Sequence, residues 1–516
     1  MNAFVQRHAS SVMGVLCGWD RLRFRGTLRM LANVTGLFRF LCYTGHLLKD
    51  FGRYGQELSR RVRAASLEAA GSAGRPVVHL AGPSLPKEDH ARMIAARDGV
   101  TEGLICVLTA VESCRSYDVR SNPATGRLDL IHAHRKCQHL YHYMIHPALG
   151  FMHVRFQTWL PFNMQVCVNG REILARRLDR TGIAYRRADN CFTHVSDLPA
   201  AQALLDEQVN HDWPATLGEL AAVVNPMLKG IVGDYDVPYY WSLDESEWAS
   251  DVLFRSTGHL AALYPGLVRH ATESFASPEV MRFLGNRLTA SGSLHGNFDG
   301  QVISDLRKRA EGMRVKHRVN RNSVKMYDKA GSVLRVETTL NNMRDLKAPR
   351  RIEGRVVYRK MRKGVADMPR RAWVSQASNT RYFEALAAVG ASTPLKTLTD
   401  KLSRAVTWKG KRVRGLNPLG EQDAKLLATA GRGEFLIIGF RNRDLAGLLF
   451  APTDDESEKR RRSSRVTRML RMLRAHGLIH KVPHTHRYLV SEKGRKVIAA
   501  LHAAREADID KLTRAA

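Results

Sequence analysis

The sequence predicts an α+β protein built of antiparallel sheet domains with helical insertions. Three observations point to that class. Residues 312–347, GMRVKHRVNRNSVKMYDKAGSVLRVETTLNNMRDLK, alternate apolar and polar side chains over three short runs divided by turn residues, the period of half-buried strands. Residues 100–190 contain further runs of strand character followed by a helical stretch. Residues 195–290 and 370–405 repeat their apolar side chains at helical spacing.

Charge bounds the function. The chain of 516 residues is 44% hydrophobic and carries 81 Lys and Arg against 49 Asp and Glu, a net +32. That length suits about three domains. The basic excess runs along the whole chain, and residues 301–380 alone hold 21 basic and 7 acidic residues. Such a balance implies a polyanionic partner, most often nucleic acid for a long cytoplasmic chain. A membrane surface is the rival polyanion, but it needs a basic amphipathic helix with bulky apolar residues, which the sequence lacks. No apolar run is long enough to span a membrane, and the N-terminus has no signal-peptide pattern. The expected location is cytoplasmic, with no membrane partner. The cysteines, Cys17, Cys42, Cys106, Cys114, Cys137, Cys167 and Cys191, form no CxxC pair and read as reduced thiols.

Residues 1–70 read as mainly helical, with 28–31 and 38–41 at helical spacing. Before them Arg21, Arg23 and Arg25 alternate with Leu22 and Phe24 as in a strand, and Asp20 is a candidate metal carboxylate at its start. Residues 70–88 have the Gly, Pro and Ser content of a linker, with a short strand at 77–80. The α+β domain of residues 100–190 has strand candidates at 104–108, 127–132, 139–145, 151–158 and 164–168; Asn169-Gly170 ends the last strand, and a helix follows at Arg171–Arg180, stopped near Gly182. Residues 195–290 read as helical at 198–209, 216–228, 245–254 and 278–284, interrupted by an aromatic strand at 236–241. On that reading Asp244, Glu247 and Asp251 share one helix face, a conceivable metal site whose default is a solvated face.

His132-Ala133-His134 places two imidazoles on one face of a strand, as a divalent metal would need. The pair resembles the paired histidines of HUH single-strand nucleases. Surface histidines are the competing account.

The sheet domain at residues 291–360 organises the rest. Met313, Val315 and Val319, then Val324 and Met326, then Leu334, Val336 and Leu340 form its apolar face. Arg314, Lys316, Arg318, Ser323, Lys325, Tyr327, Lys329, Arg335 and Glu337 form the other. A three-residue loop Lys329-Ala330-Gly331 keeps the two faces separate. It predicts Met326 opposite Leu334, Val324 opposite Val336, Lys325 opposite Arg335 and Ser323 opposite Glu337. Two like charges directly opposite are destabilising, so Glu337 or a bound phosphate is expected between them. Tyr327 is the candidate nucleophile, its phenolate favoured by Lys325 and Lys329. Glu337 would hold a metal or take a proton, and Arg335 would clamp the phosphate. A solvated basic face is the plainer account.

The region 423–516 closes the chain. A capped helix begins at Arg441, and residues 464–476 repeat Arg465, Arg468, Arg471 and Arg474 every third position over an apolar side of Val466, Met469, Leu470 and Leu473. Two short strands around Pro483-His484-Thr485-His486 and a last helix follow. This order, notably LRAHGLIHKVPHTHRYLVSEKGRKV, resembles the winged-helix domains of bacterial regulators. The resemblance implies a helix in the major groove of duplex DNA through those four arginines, and a wing of His484, His486 and Arg487 on the backbone. Protein contact is the alternative use of such a domain.

The segment SVKMYDKAGSVLRVETTL is similar to the K-x-Y-D-K…L-R-x-E pattern of replication initiators of filamentous phages and some rolling-circle plasmids. The match lies in Lys325, Tyr327, Asp328, Lys329, Leu334, Arg335 and Glu337. It implies nicking of one DNA strand by a tyrosine with a divalent metal, Mg or Mn. The tyrosine of the better-known HUH enzymes sits on a helix, whereas Tyr327 is expected on a strand. The chain also resembles long bacterial proteins of mobile elements, which implies a replication-initiator or transposase-like setting. Two classes follow: an enzyme that cuts or joins a strand, and a non-catalytic DNA- or RNA-binding regulator. Candidate nucleic-acid contacts are Arg314, Lys316, Arg318, Lys329, Arg465, Arg468, Arg471, Arg474 and Arg487, with single strand or RNA at the sheet. Candidate metal ligands are Glu337, His132 and His134.

Overall fold

The computed structural model describes the chain except residues 83–84, 234–237, 287–297, 299, 310–311, 353–354, 388–394, 433, 436–438, 484 and 507–516. Asp236 and Val237 of the expected aromatic strand, and His484 of the expected wing, lie outside the described residues. The class is α+β. The chain divides into one unit of residues 17–248 and 362–372 and another of residues 1–16, 249–361 and 373–516.

The first unit is a mixed sheet with helices. Its strands are β1 (Val12–Leu28), β2 (Val77–His79), β3 (Gly103–Asn122), β4 (Arg127–His146), β5 (Gly150–Gln157) and β6 (Met164–Asn169). They lie in the order β1-β6-β5-β4-β3-β2. Pairing is antiparallel from β1 through β6, β5 and β4 to β3. The edge strand β2 runs parallel to β3, with Val78 beside Leu108. Residues 1–70 hold the expected helices, Asn2–Arg7, Val34–Tyr43 and Phe51–Ser72, while β1 extends the alternation expected at Arg21, Arg23 and Arg25 to seventeen residues. The separate strands expected within 127–145 are one continuous strand.

The helix Gly170–Thr181 starts and stops as its sequence predicts. The Asn169 side chain accepts from the N–H groups of Arg171 and Glu172, and Gly182 takes a left-handed conformation with φ of 70°. A small hairpin follows, β7 (Tyr185–Ala188) with β8 (Cys191–Val195). Helices Leu198–Val209 and Trp213–Val224 come next.

β9 (Tyr239–Phe254) replaces the helix expected at 245–254. The acids at Asp244, Glu247 and Asp251 therefore do not share a helix face. Almost every residue from Leu243 onward is buried, and burial on both faces erases the two-residue period that exposes a strand in sequence. Arginines of β1 neutralise Asp244, Glu245 and Glu247. Arg21 lies 3.0 Å from both Glu245 and Glu247, Arg23 2.6 Å from Glu245, and Arg25 2.7 Å from Asp244.

In the second unit β10 (Val302–Arg309), β11 (Gly312–Val319), β12 (Asn322–Lys329) and β13 (Val333–Leu340) form an antiparallel meander. The predicted apolar face is buried, and on β13 the polar face is buried as well. Val315, Val319, Val324, Met326, Leu334 and Val336 join Leu260 and Leu267 of helix Thr257–Glu273, Phe283 of helix Ser277–Phe283, and Tyr382 and Phe383 of helix Met368–Leu386 in one core. Each such side chain contributes roughly 1.5–3 kcal/mol on burial. Two hairpins follow, β14 (Lys347–Ile352) with β15 (Arg355–Lys360), and β16 (Val406–Trp408) with β17 (Lys411–Val413).

The C-terminal region has helices Glu421–Ala430, Asn442–Leu449 and Glu456–Ala475, the hairpin of β18 (Ile479–Lys481) with β19 (Tyr488–Val490), and helix Glu492–Glu506. It has its own apolar core, which includes Leu402, Val413 and Leu416 beside Leu427, Leu445, Val466, Leu470 and Leu473. Arg414 donates two 2.7 Å bonds to Asp423. A boundary at residue 423 therefore cuts through this core. A fragment of residues 400–506 is expected to unfold cooperatively, and one beginning at 423 to be less stable by several kcal/mol, having lost three buried aliphatic side chains. Equal denaturant midpoints for the two fragments would contradict this.

Burial also sets a pH dependence. Desolvation depresses the imidazoles of His139, His142 and His317 from 6.5 to about 4. Folded, they stay neutral; unfolded, they take up protons below pH 6.5. Their neutral burial therefore costs stability progressively as pH falls from 6.5 to 4, on the order of 1–3 kcal/mol per imidazole. Thermal midpoints measured from pH 8 to pH 4 should fall through that window, and a flat profile would exclude neutral buried imidazoles. No described helix is long and apolar enough to cross a membrane.

Candidate functional site

The site grows from one turn. β12 and β13 are joined by Ala330-Gly331-Ser332, with Ala330 and Gly331 at φ of 55° and 74°. The loop has three residues, as expected, but starts one residue later than predicted. Each residue of β12 therefore faces a partner two positions farther along β13. Met326 lies opposite Val336, Tyr327 opposite Arg335, Lys325 opposite Glu337 and Ser323 opposite Thr339. An even shift keeps the apolar and polar faces apart, so the predicted faces hold while the predicted Lys325–Arg335 and Ser323–Glu337 pairs do not occur. Charge explains the preference: the observed register sets a cation opposite an anion in place of two cations.

Glu337 is the hub. Lys325 Nζ lies 2.6 Å from its Oε1, and the Tyr327 hydroxyl donates a 2.6 Å hydrogen bond to its Oε2. Burial alone would push this carboxyl up. The charges of Lys325 and Arg335 and the hydrogen bonds from Lys325 and Tyr327 outweigh burial and hold it down at about 2. Glu337 is thus ionised throughout the physiological range, and the Tyr327 hydroxyl is directed at it.

Arg335 is fully buried and forms two bonds to Asp251 of β9, Nε to Oδ1 at 2.6 Å and a terminal nitrogen to Oδ2 at 2.9 Å. It braces the sheet and is not open to clamp a phosphate. Like charges remain opposite each other at Lys316 and Lys325, and at Arg307 and Arg314. Burial, then the neighbouring charges of Lys325 and Arg314, lower the Lys316 ammonium below its usual range.

Beside Tyr327 lies a cavity of about 210 Å³ lined by Arg309, Gly312, Arg314, Lys325, Tyr327, Asp328 and Lys329. Four cations converge there, enough to neutralise one or two phosphate groups. Burial raises the Asp328 carboxyl, opposed by the N–H of Gly331. Arg318 is exposed on the same strand as Arg314 and Lys316. Arg309 escaped the sequence reading because it lies outside the alternating segment; Asp251 was noticed only as an acid on an expected helix face, and its bond to Arg335 was not foreseen.

Asp20 and Glu247 are buried carboxylates of the first unit, and Glu337 is a buried carboxylate of the second. Asp20 accepts bonds of 2.8 and 2.9 Å from the Asn190 amide. His132 and His134 are both exposed on β4, opposite Tyr117 and Arg115. In the C-terminal region Arg465 and Arg468 are exposed and Arg471 is half-buried. The Arg474 guanidinium sits 4.9 Å from the centre of the Trp408 ring, and Arg487 reaches the Gly439 carbonyl at 3.4 Å.

No family model, curated protein or solved structure matches the chain.

Proposed function

We propose that the protein binds nucleic acid and cuts or joins a strand at the polar face of β12 and β13, using a divalent metal, Mg or Mn. The observation that carries this reading is the Tyr327–Glu337–Lys325 cluster beside a cation-lined cavity. Hard oxygen ligands suit Mg and Mn, and the buried Glu337 carboxylate is the residue of this sheet that would hold the ion. A bound metal supplies Lewis-acid stabilisation of charge on a phosphate oxygen. Arg314, Lys325 and Lys329 neutralise the substrate phosphate. A carboxylate held at about 2 accepts protons poorly at neutral pH, so Glu337 suits metal binding better than general-base work. Tyr327 is the candidate nucleophile for a covalent protein–DNA adduct, and its family resemblance suggests a replication-initiator or transposase-like enzyme of a mobile element. The test is incubation of labelled single- and double-stranded DNA with Mg²⁺ or Mn²⁺, scored for nicking and for adduct.

A binding-only reading has one specific support. Arg335 is neutralised by Asp251 and the Tyr327 hydroxyl is engaged by Glu337, as in a structural charge network. On either reading the helix, helix, hairpin and helix of residues 442–506 supports a winged-helix use on duplex DNA, with Glu456–Ala475 in the major groove. Arg468→Ala and Arg471→Ala should each weaken duplex binding, by roughly 1–3 kcal/mol if the arginine reads a base and less if it meets a phosphate. Arg474→Ala should act mainly on stability, because its guanidinium stacks on Trp408. Equal affinity of all three variants and wild type for duplex DNA would remove this helix from the interface.

A further inference from the structure

We propose that one face of the β3–β4 hairpin is a second nucleic-acid contact, docking on duplex DNA through Arg115, His132, His134 and Lys136; the inference rests on the nucleic-acid reading above. The hairpin is long. Each strand has twenty residues, and the two pair from Gly103–Ile145 to Asn122–Arg127. β5 pairs with β4 only at residues 139–146 and β2 with β3 only at residues 77–79 against 107–109. Among the described strand pairings, residues 111–122 and 127–138 therefore pair only with each other, as a two-stranded ribbon.

Charge is sorted between the two faces of this ribbon. One face carries Glu112 and Asp118, and both are neutralised. Glu112 meets Arg155 at 2.6 Å and Lys87 at 3.4 Å, and Asp118 is bonded by Arg135. The opposite face has Ser113 across from Lys136, Arg115 across from His134, and Tyr117 across from His132. From residue 111 to 121 and from 128 to 138, this face holds no carboxylate. Arg115, His132, His134 and Lys136 are all exposed. Tyr117 backs the patch, its ring 5.1 Å from that of His132 and its hydroxyl donating to the Leu31 carbonyl. The bonded tyrosine holds the ribbon firmly beneath its cations.

A cationic cluster without an anion on its own face fits an external one. Side chains on one face of a strand repeat every roughly 7 Å, comparable with the step between phosphates along a nucleic-acid strand. A two-stranded ribbon is also of a width that the major groove of duplex DNA admits. The histidine pair then serves as part of a phosphate-seeking row, and needs no further metal ligands.

The test uses the full-length chain and a labelled duplex of mixed sequence, titrated over a range of salt, with the matching single strand alongside. Arg115→Glu with Lys136→Glu should weaken duplex binding at least tenfold. The neutral pair Arg115→Gln with Lys136→Gln should flatten the slope of log affinity against log salt by up to about 2, because each phosphate contact contributes about 0.9. Both positions are exposed, so an unchanged thermal midpoint is expected and confirms the fold. Unaltered duplex affinity and slope in both pairs overturn the ribbon contact, while wild-type binding leaves the nucleic-acid reading standing. Loss confined to the single strand overturns docking on a duplex. A wild-type protein with no affinity for either strand form overturns both readings.

Discussion

Glu337→Gln is expected to lower metal-dependent nicking on the order of 100-fold or more. The substitution keeps the volume of a fully buried side chain and an oxygen that can accept from Tyr327. It removes the charge that Lys325 meets at 2.6 Å. It also removes the carboxylate proposed to hold the ion, so Mn²⁺ affinity measured by calorimetry should fall together with activity. Tyr327→Phe separates two routes. If the tyrosine oxygen attacks phosphorus, the phenylalanine variant forms no covalent adduct; if water attacks, nicking persists at a reduced rate. Wild-type nicking and wild-type Mn²⁺ affinity in Glu337→Gln would show that any catalytic centre lies elsewhere on the chain.

Arg335→Ala should have the largest effect on stability, roughly 3–5 kcal/mol. The guanidinium is fully buried and bonds Asp251, itself buried, through two of its nitrogens. Truncation leaves that carboxylate in a desolvated site and opens a void in the central strand β13. Asp251→Ala should cost a similar amount for the converse reason. Replacing both together, Arg335→Met with Asp251→Leu, should recover much of the loss, because no unpaired charge remains. Hydrogen exchange in residues 312–340 and the urea midpoint both report this. A shift below about 1 kcal/mol in Arg335→Ala would mean that water or another anion reaches the site.

Much of the second unit's sheet was legible because three strands alternate strictly. Val315, Val324, Met326, Leu334 and Val336 were assigned to the core and are buried there. The register was not legible to the residue. Loops beginning at Lys329 or at Ala330 preserve the same two faces, so hydrophobic patterning cannot choose between them. The partner of Glu337 follows from that choice. β9 was misread for a related reason: a strand buried on both faces has no polar side to reveal its period, and its acids resemble a charged helix face. The arginines that neutralise Asp244, Glu245 and Glu247 lie more than two hundred positions away, at Arg21, Arg23 and Arg25.

The sequence by itself determined the α+β class, the basic character of the chain, the caps of helix Gly170–Thr181 and the two faces of the meander. These depend on local periodicity, on turn residues and on summed charge, which neighbouring positions fully specify. Only the tertiary structure decided that Glu337 faces Lys325, that Arg335 serves Asp251, and that the histidine pair shares an acid-free ribbon face with Arg115 and Lys136. Those outcomes depend on which distant strand supplies the compensating charge. In a buried site the energetic difference between a matched and an unmatched charge exceeds any local preference.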